Sequence, residues 1–165
     1  MSDRVYVLIE DHVLTTLQAD IALAAEVMTF DAEGTKEPED YNENELPAIV
    51  VQAEGSAGGE DPIAIGGLEE AHYEVTVFVV TQSSGRKRRR RTAKNITGRV
   101  ETVMRKQYGD YQMSDLDEAV ANAESGSVVT EWQSTEIVDN AAEGHQYRAV
   151  ARSIYDLQID INVED

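Results

Sequence analysis

Tyr73-Glu-Val-Thr-Val-Phe-Val-Val-Thr-Gln82 decides the fold. Tyr73, Val75, Val77 and Val79 alternate onto one face, the period of a strand, and the segment is rich in Val, Thr and aromatic residues. Phe78 and Val80 place apolar groups on the second face as well. A strand apolar on both faces is central and covered on part of each. It leads across Arg86-Lys-Arg-Arg-Arg-Arg91 into Thr92–Met104, where Ala93, Ile96, Val100, Val103 and Met104 form one helical stripe. Gly109 stands where a helix stop is expected. The expectation is a buried strand, a basic turn over 85–91 and an amphipathic helix.

Upstream, residues 3 to about 30 carry helical periodicity. Val5, Leu8, Ile9 and Val13 share a stripe, which Leu14, Leu17, Ile21, Ala24 and Met28 continue. One helix, or two with a bend near Asp20, fits the pattern, and Met28-Thr-Phe30 also suits a short strand. The acidic segment 31–46, with Gly34 and Pro38, is expected as a flexible loop. Leu46-Pro-Ala-Ile-Val-Val-Gln52 follows as a strand, with Pro47 placed first because it lacks an amide donor. Residues 54–71 hold five of the eleven glycines and form a second long flexible loop, a length often tied to function.

Downstream, Ser114 and Asp117 open a short helix with Leu116, Ala119, Val120 and Ala123 on its stripe. Val128–Val138 is a strand with the only tryptophan, Trp132, and Asp139–Gly144 a turn. Tyr147–Val163 alternates over seventeen residues, which span about 56 Å at ~3.3 Å each. That exceeds a usual strand. The segment either bends at a bulge or projects beyond the domain, where it can pair with another subunit. Residues 1–165 thus form a single α+β domain, a mainly antiparallel four-stranded sheet with helices packed on one face.

Composition narrows the function. There are 32 Asp plus Glu against 14 Lys plus Arg, a net charge of -18, with four lysines, ten arginines and no cysteine. Disulfides, thiolate metal sites and cysteine nucleophiles are excluded. No run of about eighteen apolar residues suggests a membrane span, and no signal-peptide pattern opens the chain. So acidic a protein repels itself at low salt, and at roughly 1 M salt the Debye length falls to about 3 Å. The composition suits concentrated salt; an acidic protein of ordinary salt is the plainer alternative. General nucleic-acid binding is disfavoured, because phosphates meet negative charge almost everywhere.

No active site is legible, and the chain is not expected to be an enzyme. His12, His72 and His145 share no metal-ligand spacing. The glycine pairs lack the Lys-Ser/Thr of a phosphate loop, and Ser127 is not in a nucleophile elbow. Asp115-Leu-Asp117-Glu118 lacks the remaining ligands of a calcium loop. No catalytic residue, metal or cofactor is therefore assigned. The run Arg86, Lys87, Arg88, Arg89, Arg90 and Arg91 contributes six of fourteen basic residues. Its charges repel each other and oppose the dipole of the helix they precede, a cost that points to an anionic partner. The candidates are a carboxylate-rich neighbouring subunit or a phosphate backbone, against a plain solvated turn.

A leading helical region, the Leu46-Pro-Ala-Ile-Val-Val51 strand, a glycine-rich gap, a Tyr-x-Val-x-Val-x-Val strand from Tyr73 running into an amphipathic helix, and a closing strand pair resemble a known family. It is the tail terminator and tail-completion proteins of long-tailed bacteriophages and related archaeal viruses. The acidic, lysine-poor composition points within it to viruses of halophilic archaea. The resemblance implies a virion protein, assembled in the host cytoplasm, that forms a hexameric ring at the tail-neck junction. Its partners would be itself, the major tail tube protein and a head-completion or neck protein. Genomic DNA would pass through the lumen without sequence-specific binding, and no membrane is involved. Two alternatives stay open: another neck component, such as a head-tail adaptor or stopper, and a nucleic-acid-binding accessory protein working through the basic run.

Overall fold

The computed structural model describes residues 2–37, 40–55, 64–65, 68–109, 128–139 and 147–162. The elements are helices α1 (Ser2–Ala19) and α2 (Ile21–Glu26), strand β1 (Thr29–Ala32), a 3₁₀ turn at Glu43–Glu45, and strands β2 (Ala48–Gly55), β3 (Ala64–Ile65) and β4 (Leu68–Gln82). Helix α3 (Arg86–Tyr108) and strands β5 (Val128–Asp139) and β6 (Arg148–Asn162) follow. The short helix over 114–125 and the turn over 139–144 expected from sequence lie wholly or largely outside the described residues, as do most of 54–71.

The sheet order is β1-β2-β4-β6-β5, with β3 attached to β4. The four long strands are those expected. The small additions are β1, which realises the short-strand option near Phe30, and β3. Strand β1 runs parallel to β2, so the sheet is mixed, and every other pairing is antiparallel. At its centre β4 and β6 pair without interruption from Leu68↔Asn162 to Gln82↔Arg148. The register shifts fall in the β5–β6 pairing instead, at Val129/Glu131 and Trp132/Ser134. Bulges of this kind bend and twist an edge strand.

The odd positions of β2, β4 and β6 face the helices. Ile49, Val51, Val75, Val77, Val79, Ala151, Tyr155 and Leu157 join Ile9, Val13 and Leu17 of α1 and Ala93, Ile96, Val100 and Met104 of α3 in one core. Full burial of each larger aliphatic chain contributes roughly 1.5–3 kcal/mol. Desolvation by burial pushes the Tyr155 hydroxyl up to about 12.

The bend at Asp20 is real, and it corrects the sequence stripe. Ile21 and Met28, expected on the apolar face, are exposed, at 87% and 66%. Asp20 ends α1 and caps α2, accepting the Leu23 amide at 3.1 Å. Breaking the phase there turns Leu23 and Val27 inward in their place. The same carboxylate takes a forked pair from Arg99, Nε at 2.9 Å and an Nη at 2.6 Å, tying α2 to α3. The Arg99 hydrogen bond chiefly holds the Asp20 carboxyl below its ordinary range.

The segment after β1 covers part of the second face. Tyr41 and Leu46 pack on Ala48, Val50 and Val80, against half-buried Phe78 and Val150. The Tyr41 hydroxyl donates to Asp31 at 2.8 Å. Beneath lies Arg148, 1% exposed, whose Nε donates to Gln82 Oε1 at 2.8 Å and whose terminal nitrogen donates to the Tyr41 carbonyl. A peptide carbonyl so far from water needs that donor.

Two predictions follow from this packing. Arg148→Met leaves the buried Tyr41 carbonyl unpaired and costs about 1–3 kcal/mol, read as a lower urea midpoint. Glu10 accepts the Ala53 amide at 2.8 Å, yet desolvation lifts its carboxyl above the ordinary range, with Glu33 and Asp11 adding to the effect. A raised folded pKa favours the fold in acid and loses that contribution as pH rises through it. Glu10→Gln is therefore more stable than the parent at neutral pH, and the gap in urea midpoint closes on acidification.

Candidate interaction surface

The basic run is not a turn. Arg86 is the first residue of α3, so all six cations lie in its first two turns. Arginine is a good helix former. The buried stripe Ala93, Ile96, Val100 also reaches one step further back than expected, to Arg89 at four residues' spacing.

Arg89 accordingly differs from its neighbours. It is 4% exposed, and its guanidinium reaches the Ser83 and Ser84 carbonyls at 3.4 and 3.5 Å. Its ring partner is Tyr147, 5.7 Å from the guanidinium carbon to the ring centroid. The Arg89 carbonyl accepts from the buried Thr81 hydroxyl at 2.9 Å. These contacts fasten α3 to the end of β4. Tyr147 sits at φ 71, the left-handed region, where it leads into β6 while its carbonyl accepts the Ser83 amide at 3.0 Å.

Arg86, Lys87, Arg88 and Arg91 are exposed and Arg90 is half-buried. Gly85 caps the helix without a side chain, and no acidic residue stands in the first turn. Lys87, Arg88, Arg90 and Arg91 make no ion pair among the described residues. Elsewhere in the chain arginines do pair: Arg99 with Asp20 and Arg105 with Glu101. In a chain at -18, the lack of an ion pair to these four cations among the described residues is the sharpest electrostatic feature of this surface. A shallow cleft lined by Glu43, Leu46, Pro47, Thr81, Gln82 and Tyr147 opens beside them.

Sequence reasoning missed a second feature, a line of acidic residues on the second face of the sheet. Glu74 stands opposite Glu54 of β2 on one side and Asp156 of β6 on the other. The three form one row across three strands, about 10 Å long at ~4.8 Å per strand. Tyr73, Val75, Tyr155 and Leu157 point into the helix-side core, so Glu74 and Asp156 occupy the opposite face. His72 bonds Asp156 at 3.1 Å. The signal was present in each strand as an isolated Glu or Asp, and only the register aligns them.

Of the other histidines, His12 joins a half-buried contact, its Nδ1 2.8 Å from the Tyr108 hydroxyl, which also lies 3.0 Å from the Thr16 hydroxyl. His145 lies outside the described residues. Among the described residues no group of three or more His, Asp or Glu is placed to hold a metal ion, and no helix is long and apolar enough to cross a membrane.

No family model matches the sequence, and no curated protein matches it. Among solved structures it is similar to a chain of the virion of a native gene transfer agent particle. The TM-score is 0.47 at 16% identity, over 90% of this chain and 91% of that one.

The two roles within the run separate by substitution. Arg89→Ser lowers stability by about 1–3 kcal/mol through the lost turn contacts. Arg88→Ser and Arg91→Ser each stay within about 0.5 kcal/mol of the parent, as exposed positions do. Urea unfolding of the three variants checks this.

Proposed function

We propose that this protein is a structural component of a tailed virion, a tail terminator that closes the tail tube as a ring and joins it to the neck. The observation that carries the reading is the β4–β6 ribbon. Strand β2 accompanies β4 only from Tyr73 to Val80, and β5 accompanies β6 only from Ala149 to Gln158. Residues Leu68–Ala71 and Ile159–Asn162 continue as a two-stranded ribbon beyond both neighbours, with only the two-residue β3 beside it among the described residues. Four residues reach about 13 Å at ~3.3 Å each. Strand edges left open among the described residues suit pairing with another chain. The arrangement of elements, from leading helices to closing strand pair, also follows the pattern on which the sequence resemblance to tail terminators rests. Lys87, Arg88, Arg90 and Arg91, which make no ion pair among the described residues, add a charged contact surface at the start of α3. The activity is assembly, and no catalytic group is invoked.

Six copies carry 6 × -18 = -108 charges, so ring closure depends on screening. Light scattering of the purified protein in concentrated KCl, alone and with tail tubes, is expected to show a discrete hexamer, or a ring on the tube by electron microscopy. Dilution into low salt is expected to dissociate it. A monomer in both settings, with duplex DNA binding that falls steeply with salt, overturns the ring and favours the accessory reading.

A further inference from the structure

We propose, resting on the virion reading above, that the cleft beside the start of α3 and the cations around it dock an extended acidic segment of a neighbouring protein in the particle. Partner chemistry is thereby assigned to the charged surface that reading uses.

The cleft encloses about 330 Å³, near the lower limit of ligand pockets. Its polar wall is Ser83, Ser84 and Thr92, whose hydroxyls both donate and accept, as the amide groups of a passing backbone require. Its apolar wall is Leu46, Pro47 and Tyr147, a surface for the stems of long side chains. Tyr147 is 46% exposed and yet held in place. Its ring meets the Arg89 guanidinium at 5.7 Å, and its carbonyl accepts the Ser83 amide at 3.0 Å. It keeps a φ of 71, which a large side chain seldom adopts. An exposed aromatic ring fixed in advance loses little freedom on contact and so makes a good anchor.

The rim is cationic. Arg88 stands one turn before Thr92 on the same face of α3, and Lys87 and Arg91 are exposed beside it. None of the three makes an ion pair among the described residues. Without the run Arg86–Arg91 the remaining chain carries -18 - 6 = -24, so the run is a local patch of opposite sign. Guanidinium forks bind carboxylates bidentately. Duplex DNA is the poorer occupant. It carries one charge per about 1.7 Å along a stiff rod, and the rod runs on past the patch over a chain of its own sign. Glu43 also stands in the cleft wall, where Gln82 donates to it at 2.9 Å. A thin segment places its acids at the rim and passes Glu43 with a neutral residue.

The probe is fluorescein-labelled hexaglutamate, followed by anisotropy at the lowest KCl concentration at which circular dichroism shows the native fold. The parent is expected to bind it. Arg88→Ser with Arg91→Ser is expected to weaken binding about tenfold, the product of about threefold for each lost pair. Ser84→Trp fills the cleft, leaves every charge in place, and is expected to weaken binding to a similar extent. Lys106→Ser removes one cation from the far end of α3 and is expected to change nothing. Equal losses from Lys106→Ser and from the double variant overturn the proposal, as does a parent that binds no hexaglutamate. Tighter binding of a short DNA duplex assigns the cations to phosphate and also overturns it. Light scattering in concentrated KCl reports the ring separately. Rings without hexaglutamate binding overturn the docking site alone. Hexaglutamate binding by a protein that stays monomeric, even with tail tubes, overturns the ring alone.

Discussion

Everything in this protein hangs from the pairing of β4 with β6. Fifteen consecutive residue pairs run from Leu68↔Asn162 to Gln82↔Arg148 without a bulge. Because side chains alternate strictly, an unbroken register commits every odd position to the helix side at once. Tyr73, Val75, Val77 and Val79 are brought level with Leu157, Tyr155, Ser153 and Ala151, and α1 and α3 close over them. A slip of one residue would turn that whole set outward. The irregularities are kept to β5, at the edge, where a bend disturbs one neighbour only.

The two faces of this sheet have different work. The helix face is apolar along its length and supplies the stability. The second face changes character along the strands. Near Val80 it is apolar and closed by Tyr41 and Leu46. There Arg148 is buried under a hydrogen-bonded peptide, fixing the 40–46 segment to the strand ends. Toward Glu74 the same face becomes polar, with Gln52, His72, Glu74, Asp156 and Gln158 half-buried and Glu54 exposed. That gradient divides the second face into an apolar, closed part and a polar part.

The helix-side core was legible in the sequence because its signals are local. The Tyr73–Val79 alternation and the Ala93–Met104 stripe each repeat within one element. What was not legible depends on distant partners. Ile21 and Met28 fit the apolar stripe of a continuous helix, and only the cap at Asp20, tied to Arg99 from 79 residues away, breaks the phase. Arg89 looked like its five basic neighbours. Its burial is set by the Ser83 and Ser84 carbonyls and by Tyr147, which lies across the β6 junction. The row of Glu54, Glu74 and Asp156 was invisible for the same reason. Its members come from three strands and share nothing in sequence except charge.

Charge placement works against this packing. In a chain at -18, Lys87, Arg88, Arg90 and Arg91 make no ion pair among the described residues. Helix α3 begins without a side-chain cap and with cations against its dipole, which adds a local cost. The contacts of Arg89 with Ser83, Ser84 and Tyr147 offset that cost and hold the start of the helix against the end of β4.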